Sequence, residues 1–208
     1  MSQSERYERL RLLVKRVNKE RKRQANQVDI LCNDLVTAQR EFMRRLNSVG
    51  FAARFYKDLL GLTDLRTLLS RAGRLIREEL PGTGIAFFVR QADGGDLRVC
   101  DGEPIPGFQG RHLMDCFTPE LVSEICKSNR PCMVDDLFGM GLEGDLNDLN
   151  NFSLATIPLQ DLGRSLGFVL ASRAAAQPLR ADEIDKIGLI TCGLSQAVRA
   201  CGVTLHSR

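Results

Sequence analysis

The first 60 residues place apolar side chains at alternating steps of three and four. Sustained over about seven heptads, this spacing is typical of the seam of a left-handed coiled coil. No proline occurs in this stretch, and no glycine precedes Gly50. The pattern therefore predicts a helix over residues 1–60, in which the apolar row from Leu10 to Leu59 is roughly 75 Å long at ~1.5 Å per residue. The row consists of Leu10, Val14, Val17, Val28, Leu31, Leu35, Ala38, Phe42, Val49, Ala52, Tyr56 and Leu59, with breaks at Arg21, Gln24 and Arg45.

So narrow an apolar stripe does not stabilise a single helix in water. We therefore expect a homodimer in which two parallel copies of the helix pair. The residues predicted to form the dimer seam are Leu10, Val14, Val17, Val28, Leu31, Leu35, Phe42 and Val49. The alternative is a long helix that folds back on its own domain.

Residues 61–208 predict a separate domain that alternates helices and strands. An amphipathic helix over 65–80, capped by Thr63 or Asp64, ends at Pro81-Gly82. A hairpin follows, with strands at 85–89 and 97–100 around a turn at 93–96. The stretch 101–117 is rich in glycine and proline and has no clear period, so we expect it to be irregular.

The next elements are shorter. Thr118 and Pro119 open a helix over 121–127. Cys132–Asp135 resembles a short strand, and 136–150 is an acidic loop that contains glycine. Five acids near or within this loop provide oxygen atoms for Ca²⁺, but their spacing is not that of a calcium loop, so we favour a solvated lid. They are Asp135, Asp136, Glu143, Asp145 and Asp148.

Two runs, 152–159 and 165–172, are apolar at nearly every position and flank a polar insert that contains Gly163. Such runs are typical of central strands covered on both faces, so a β-hairpin at the centre of a covered sheet is predicted. Ala181-Asp182 caps a final helix. Gly188 and Gly193 lie in its interior, where glycine costs about 1 kcal/mol, and this indicates close approach of another element.

The order of these elements, together with three motifs, resembles the GAF domain family of small-molecule sensory modules. The motifs are Arg130-Pro131-Cys132-Met133-Val134-Asp135-Asp136, Ser153-Leu154-Ala155-Thr156-Ile157-Pro158-Leu159 and Leu166-Gly167-Phe168-Val169-Leu170. The resemblance covers about residues 62–202. It implies an α+β fold with a six-stranded antiparallel sheet, and with the first and last helices on one face, often as a dimer interface. It also implies a ligand pocket on the other face, beneath the short helix and the loops.

Members of this family bind cyclic nucleotides, bilins, haem, iron, amino acids or no known ligand. The cyclic-nucleotide signature Asn-Lys-Phe-Asp-Glu is absent, because apolar residues follow Asn151-Phe152. No cysteine has the context that bilin attachment needs. The cofactor is therefore unknown from sequence.

The resemblance places eight pocket candidates, with no catalytic residue and no metal site among them. They are Phe87, Arg111, His112, Cys116, Cys132, Asp135, Phe152 and Thr156. His112 is a candidate ligand for haem or iron, although a single histidine is more often a surface residue. Cys116, Cys126 and Cys132 lie around the expected pocket, where an enzyme of this fold reduces free methionine sulfoxide through cysteine thiolates. Simple burial is the favoured interpretation of these cysteines.

Charge divides the chain unevenly. Residues 1–60 contain 14 Lys or Arg and 7 Asp or Glu, a net charge of +7, so the remaining residues carry −4. Nine of these cations lie within 6–23. A solvated coiled-coil face or a protein-docking surface is favoured for them, and nucleic acid or an anionic membrane are the alternatives. The apolar seam continues through this basic segment, so its helices are expected to pack together rather than fork across a DNA groove.

Several sequence features bear on the cellular compartment and the class of protein. No apolar run is long enough to span a bilayer, the N-terminus is charged, and the seven cysteines lack disulfide or zinc spacing, so we expect a cytoplasmic protein. The favoured function is a non-enzymatic signalling protein in which a sensor domain acts through a dimeric coiled coil. The chain ends six residues after Gly202, so we expect no output domain to follow. The signal would then pass to a docked kinase, regulator or transcription machinery. The alternatives are a cysteine-based redox sensor or methionine-sulfoxide-reductase-like enzyme, and a nucleic-acid-binding dimer.

Overall fold

The computed structural model describes residues 3–90, 96–100, 116–142 and 151–201. Helix α1 (Gln3–Leu59) is continuous, as predicted from the heptad row. The chain forms two compact units, Met1–Val49 and Gly50–Arg208, whereas the sequence predicted domains of 1–60 and 61–208. The last ten residues of α1 therefore belong to the second unit. In the first unit, the eight predicted seam residues are all more than half exposed.

The last turns of α1 pack into the core of the second unit. Phe51, Ala52, Phe55 and Leu59 are buried and share one apolar cluster with residues of the later helices. The prediction that the coiled-coil seam continues through Ala52 and Leu59 is therefore wrong. These positions follow the heptad spacing, but with Phe51 and Phe55 they form a broader apolar face, which packs within the domain.

Helix α2 (Leu65–Glu79) begins as predicted. The Asp64 carboxylate accepts a hydrogen bond from the Thr67 backbone N–H at 2.7 Å, which caps the helix. The Thr67 hydroxyl also donates to this carboxylate. Both hydrogen bonds lower the pKa of Asp64, and the one from the hydroxyl contributes most.

Five antiparallel strands form one sheet in the order β2-β1-β5-β4-β3. Their bounds are β1 Gly84–Arg90, β2 Asp96–Cys100, β3 Cys132–Met133, β4 Phe152–Asp161 and β5 Arg164–Ala174. The implied count of six strands is thus not met in the described ranges. Four strands are long, and β3 pairs over two residues only.

Strand β3 is short because a helix begins directly after it. The Asp136 carboxylate accepts a hydrogen bond from the Met133 backbone N–H at 3.0 Å, and this starts helix α4 (Val134–Gly139). The predicted strand over Cys132–Asp135 is therefore cut to two residues. The predicted loop begins with a helix instead, and its later residues 143–150 lie outside the described ranges.

The central hairpin β4–β5 is confirmed, and its strands extend beyond the predicted limits. Its turn consists of Leu162 and Gly163, both with positive φ (+48° and +78°), the conformation of a tight two-residue hairpin turn. The predicted hairpin β1–β2 is also present, although its turn lies outside the described residues.

The sheet separates two buried clusters. The end of α1, α2 and α5 (Ala181–Ala200) cover one face, which contains Phe87 and Val89. Helices α3 (Pro119–Ser128) and α4 cover the opposite face, which contains Phe88 and Phe168. The predicted placement of the first and last domain helices on one face is thus observed. None of the described helices is long and apolar enough to cross a membrane.

Helix α5 begins one residue earlier than predicted. Arg180 occupies the cap position, and its backbone N–H donates to the Glu183 carboxylate at 2.9 Å. Glu183 also forms an ion pair with Arg173 of β5, with both carboxylate oxygens 3.1 Å from Nη1. The Arg173 side chain donates to the Thr83 hydroxyl as well. The Arg173 guanidinium thus links α5 to the sheet.

Candidate functional site

The candidate site is the sheet face beneath α3 and α4, here called the α3 face. Helix α3 lies over this face because its apolar residues recur at helical spacing: Leu121, Val122, Ile125 and Cys126 are buried. Thr118 fixes where the helix starts, with its hydroxyl accepting from the Leu121 N–H at 3.3 Å, as predicted. Asn129 ends the helix in the left-handed conformation (φ +57°).

Three phenylalanine rings occupy the centre of the α3 face. Phe88 and Phe168 are direct cross-strand partners, and their rings stack with centroids 4.6 Å apart. Phe117, which precedes α3, lies with its centroid 5.0 Å from Phe88 and 6.0 Å from Phe168. All three rings are almost completely buried. This Phe cluster therefore joins α3 to strands β1 and β5 of the sheet.

Gly167 permits this arrangement of the rings. Its φ is +141°, and a Cβ atom built there would lie 2.8 Å from the carbonyl carbon of Phe88. The residue before Phe168 thus lets β5 approach β1 closely, beside an irregularity in pairing at Leu159 and Gln160.

Polar atoms are present at one end of the α3 face. The Cys132 thiol is completely buried, donates to the Arg130 carbonyl at 3.4 Å and lies 3.3 Å from the Ser128 hydroxyl. The Thr156 hydroxyl donates to the Cys132 carbonyl at 3.4 Å. The Thr156 hydroxyl and the Cys132 thiol thus lie next to an otherwise apolar interior, and both already have hydrogen-bond partners.

The same end of the face carries an exposed ion pair. Arg130 Nη2 lies 2.8 Å from Asp136 Oδ1, which links the end of α3 to the start of α4. The backbone hydrogen bond from Met133, followed by the one from Arg130, lowers the pKa of Asp136. Gln160 adds a hydrogen bond to the Asn129 carbonyl at 3.3 Å. Together these contacts fix the loop between α3 and α4 against strand β4.

The structure brings four of the eight predicted pocket residues to the α3 face: Cys116, Cys132, Phe152 and Thr156. Phe87 lies on the opposite face, in the cluster under α2 and α5. Asp135 is exposed in the first turn of α4. Arg111 and His112 lie outside the described residues.

The Phe cluster was not predicted as part of the site. Strand β1 is apolar on both faces, so its sequence does not show whether Phe87 or Phe88 points towards α3. A usable signal was the register between β5 and β1. If the Leu-Gly-Phe motif of β5 is paired with β1, Phe168 lies directly opposite Phe88.

The chemistry of the α3 face is that of an apolar interior with a few thiols and hydroxyls. Cys116 and Cys126 are buried in the same cluster as Cys132. In the described part of the chain, no three His, Cys, Asp or Glu side chains form a group able to bind a metal ion. The described residues thus suit apolar contact, supplemented by one or two polar contacts at the end near Thr156.

No protein-family model matches the chain, and no curated protein matches it significantly. Similar folds do occur among solved structures. The GAF domain of a phosphoenolpyruvate-protein phosphotransferase from Coxiella burnetii has a TM-score of 0.54 at 13% identity, over 74% of this chain and 94% of that one. The GAF domain/HD domain protein from Geobacter sulfurreducens has a TM-score of 0.50 at 20% identity, over 70% and 99%.

Enzymes are also among the similar structures. The free methionine-R-sulfoxide reductase from Neisseria meningitidis, in complex with its substrate, has a TM-score of 0.51 at 14% identity, over 74% of this chain and 89% of that one. This chain therefore has the GAF fold, preceded by a long helix. The fold is shared by sensory modules and by sulfoxide reductases, so it does not by itself decide between them.

Proposed function

We propose that this protein is a non-enzymatic, cytoplasmic regulatory module whose GAF-fold domain binds a small molecule at the α3 face. The observation that carries the proposal is the buried cluster between the sheet and α3, which contains the Phe cluster and Cys132. The Thr156 hydroxyl donates to the Cys132 carbonyl at one end of this cluster. The resemblance to GAF domains implies a ligand pocket on this face, beneath the short helix and the loops, and α3 is the short helix that covers it.

The ligand that suits this face is small and largely apolar, with one or two groups that can hydrogen-bond. The three phenylalanine rings offer apolar contact, and the Thr156 hydroxyl can accept a hydrogen bond. Since Phe88, Phe117 and Phe168 are almost completely buried, a ligand that enters between them has to displace α3 or turn a ring. Movement of α3 relative to the sheet is therefore the proposed response to binding.

The sheet gives this response a route to the opposite face. Phe88 and its neighbours Phe87 and Val89 lie on one strand, and their side chains enter different clusters. The last turns of α1 pack in the cluster that contains Phe87, through Phe51 and Phe55. A shift of β1 thus changes the packing around the end of α1.

The proposed output is a homodimer formed through α1. The seam residues of Met1–Val49 are exposed in the single chain, which supports pairing with a second copy. A change in the packing at Phe51 and Phe55 would alter the register or exposure of the paired helices. A docked protein, such as a kinase, a regulator or a component of the transcription machinery, would read that change.

The test is to identify what the purified protein retains. An ultraviolet-visible spectrum is recorded first, and the protein is then denatured so that released small molecules can be analysed by mass spectrometry. We expect one small molecule at a molar ratio near that of the protein, and its readdition should raise the melting temperature. A preparation that retains nothing and is not stabilised by any member of a metabolite library would contradict the proposal.

A thiol-dependent reductase or redox sensor is the second candidate. It is favoured by the presence of Cys116, Cys126 and Cys132 in one cluster and by the structural similarity to methionine sulfoxide reductases. Against it, the Cys132 thiol donates its proton to a carbonyl and is completely buried, whereas a nucleophilic cysteine needs access and thiolate character. Reduction of free methionine sulfoxide, with dithiothreitol supplying two electrons and two protons so that water is released, decides the matter. Activity that is lost in Cys132→Ser would favour the enzyme.

A further inference from the structure

We propose that residues 6–24 of α1 form a basic amphipathic helix that docks on an anionic lipid bilayer surface. This inference goes beyond the proposed function, since it concerns the first unit and does not depend on a ligand at the α3 face. It rests on three features of this segment: the arrangement of side chains around the helix, the balance of charge, and the break in the heptad row.

The side chains of this segment are unevenly distributed around the helix. At 3.6 residues per turn, five of its six large apolar residues fall within an arc of about 120°, and Leu12 lies outside that arc. Six of the nine cations lie on the opposite side, whereas Arg6 and Arg21 fall within the apolar arc. The five apolar residues are Tyr7, Leu10, Leu13, Val14 and Val17, and the opposed cations are Arg9, Lys15, Arg16, Lys19, Lys22 and Arg23, all exposed. A helix with one apolar and one strongly cationic face is the form that lies in a membrane interface.

The charge of this segment is not balanced within the helix. Residues 6–24 contain nine Lys or Arg against Glu8 and Glu20, a net charge of +7. Glu20 is paired with Arg16 at 3.6 Å, and both side chains are largely exposed. By contrast, residues 25–49 contain three cations and three acids, a net charge of zero. If the cations served only to solvate a coiled coil, we would expect acids to be interspersed among them in the same way as in residues 25–49.

The heptad row breaks where the charge changes. Arg21 and Gln24 occupy two consecutive seam positions, so residues 7–17 are separated from the apolar seam that begins at Val28. Two polar layers in succession weaken helix pairing at that point. In a dimer, the short apolar row before the break would also bring two clusters of nine cations together, and these repel each other. The apolar face of residues 7–17 is thus the part of the row whose pairing with a second copy is weakest.

A bilayer fits these residues better than a nucleic acid does. Lysine and arginine alone account for binding to phosphates of DNA or RNA, whereas an apolar row has no role in a contact with the phosphate backbone. An anionic membrane surface uses both faces, because the cations attract lipid headgroups while the leucines and valines enter the interface. Leu10 and Leu13 therefore distinguish the two partners.

The test uses the full chain and vesicle flotation. Vesicles of phosphatidylcholine are compared with vesicles that contain about 30% phosphatidylserine, at low and at raised salt. The variant Lys15→Gln/Lys19→Gln removes two outward-facing cations from the segment, and its matched control Arg40→Gln/Arg44→Gln removes two from the neutral part of α1. A third variant, Leu10→Gln/Leu13→Gln, keeps every charge and removes apolar surface.

We expect binding to the anionic vesicles alone, weakened by salt. The Lys15/Lys19 variant should bind at least about tenfold more weakly than the wild type. The Arg40/Arg44 control should bind as the wild type does. Leu10→Gln/Leu13→Gln should also lose binding. The proposal is overturned if neutral and anionic vesicles bind equally or not at all. It is also overturned if duplex DNA or RNA competes with vesicles and its binding is unaffected by Leu10→Gln/Leu13→Gln, a result that would assign the segment to nucleic acid. Circular dichroism of each variant checks that α1 is still helical.

Discussion

The ring of Tyr56 in α1 lies directly against Gly193 in α5. A Cβ atom built on Gly193 would be 2.7 Å from Cζ of the ring, and the Tyr56 hydroxyl donates to the Leu189 carbonyl at 3.0 Å. Burial raises the pKa of Tyr56, so this hydroxyl keeps its proton through the neutral range. The absence of a side chain at Gly193 thus lets the Tyr56 ring at the end of α1 pack against the final helix.

The Tyr56–Gly193 contact gives a matched pair of glycine substitutions. Gly193→Ala should destabilise the domain by about 1–3 kcal/mol, because the new methyl group overlaps a ring that is held by its hydrogen bond. Gly188→Ala lies in the same helix with open space around it, and should stabilise by roughly 0.5–1 kcal/mol through helix propensity. Urea unfolding of both variants measures the difference. Equal effects of the two substitutions would show that the ring does not press on Gly193.

The Arg173–Glu183 ion pair should make stability depend on pH. Burial raises the pKa of Glu183, but the hydrogen bonds from the Arg180 N–H and from Arg173 outweigh it, so this pKa lies below the ordinary 4.5. The stabilisation is therefore complete above that ordinary value and is lost as pH falls through the lowered pKa. At neutral pH, Glu183→Gln should cost roughly 3 kcal/mol, and the cost should shrink in acid.

The control for this pH effect is an exposed ion pair. Glu78 lies 3.7 Å from Arg74 one helical turn earlier, with both side chains more than half exposed. Glu78→Gln should change the free energy of unfolding by less than about 0.5 kcal/mol at any pH. An equally small effect of Glu183→Gln would show that the buried pair does not stabilise the fold. A cost that grows as pH falls would show that the sign assigned to its pH dependence is wrong.

Pairing of α1 through the heptad seam predicts different results for two adjacent residues. Leu31 and Ile30 are similarly exposed in the single chain, at 66% and 60%, but Leu31 alone is a seam position. Leu31→Glu should convert a dimer to a monomer, because pairing would bury two like charges in one layer of the seam. Ile30→Glu should leave the dimer intact. Light scattering after size-exclusion chromatography gives both masses, and a monomeric wild type would refute pairing itself.

The features that could be predicted from sequence are those fixed locally. Asp64 and Thr118 cap their helices because a short side chain at that position reaches the backbone N–H three residues later. The turn between β4 and β5 was predicted from the polar insert that contains Gly163, and Gly163 has a positive φ of +78° there. Such constraints act over a few residues, so the sequence carries them in readable form.

The features that were missed depend on contacts between distant parts of the chain. Phe87 and Phe88 are both apolar and adjacent, and only the cover of the sheet decides which faces α3. Ala52 and Leu59 continue the heptad row, but they pack in the domain core together with Phe51 and Phe55. In each case, the local pattern allows two partners and tertiary packing selects one.

Native mass spectrometry of the wild type beside Phe88→Leu and Phe87→Leu most directly tests ligand recognition at the α3 face. Both residues are almost completely buried on β1, so the two variants should be destabilised by a similar 1–2 kcal/mol, about the cost of losing ring packing. We expect a dimer with a retained small molecule for the wild type and for Phe87→Leu, and a dimer with less or none for Phe88→Leu. Equal retention by both variants, or loss from Phe87→Leu alone, would contradict a binding site beneath α3.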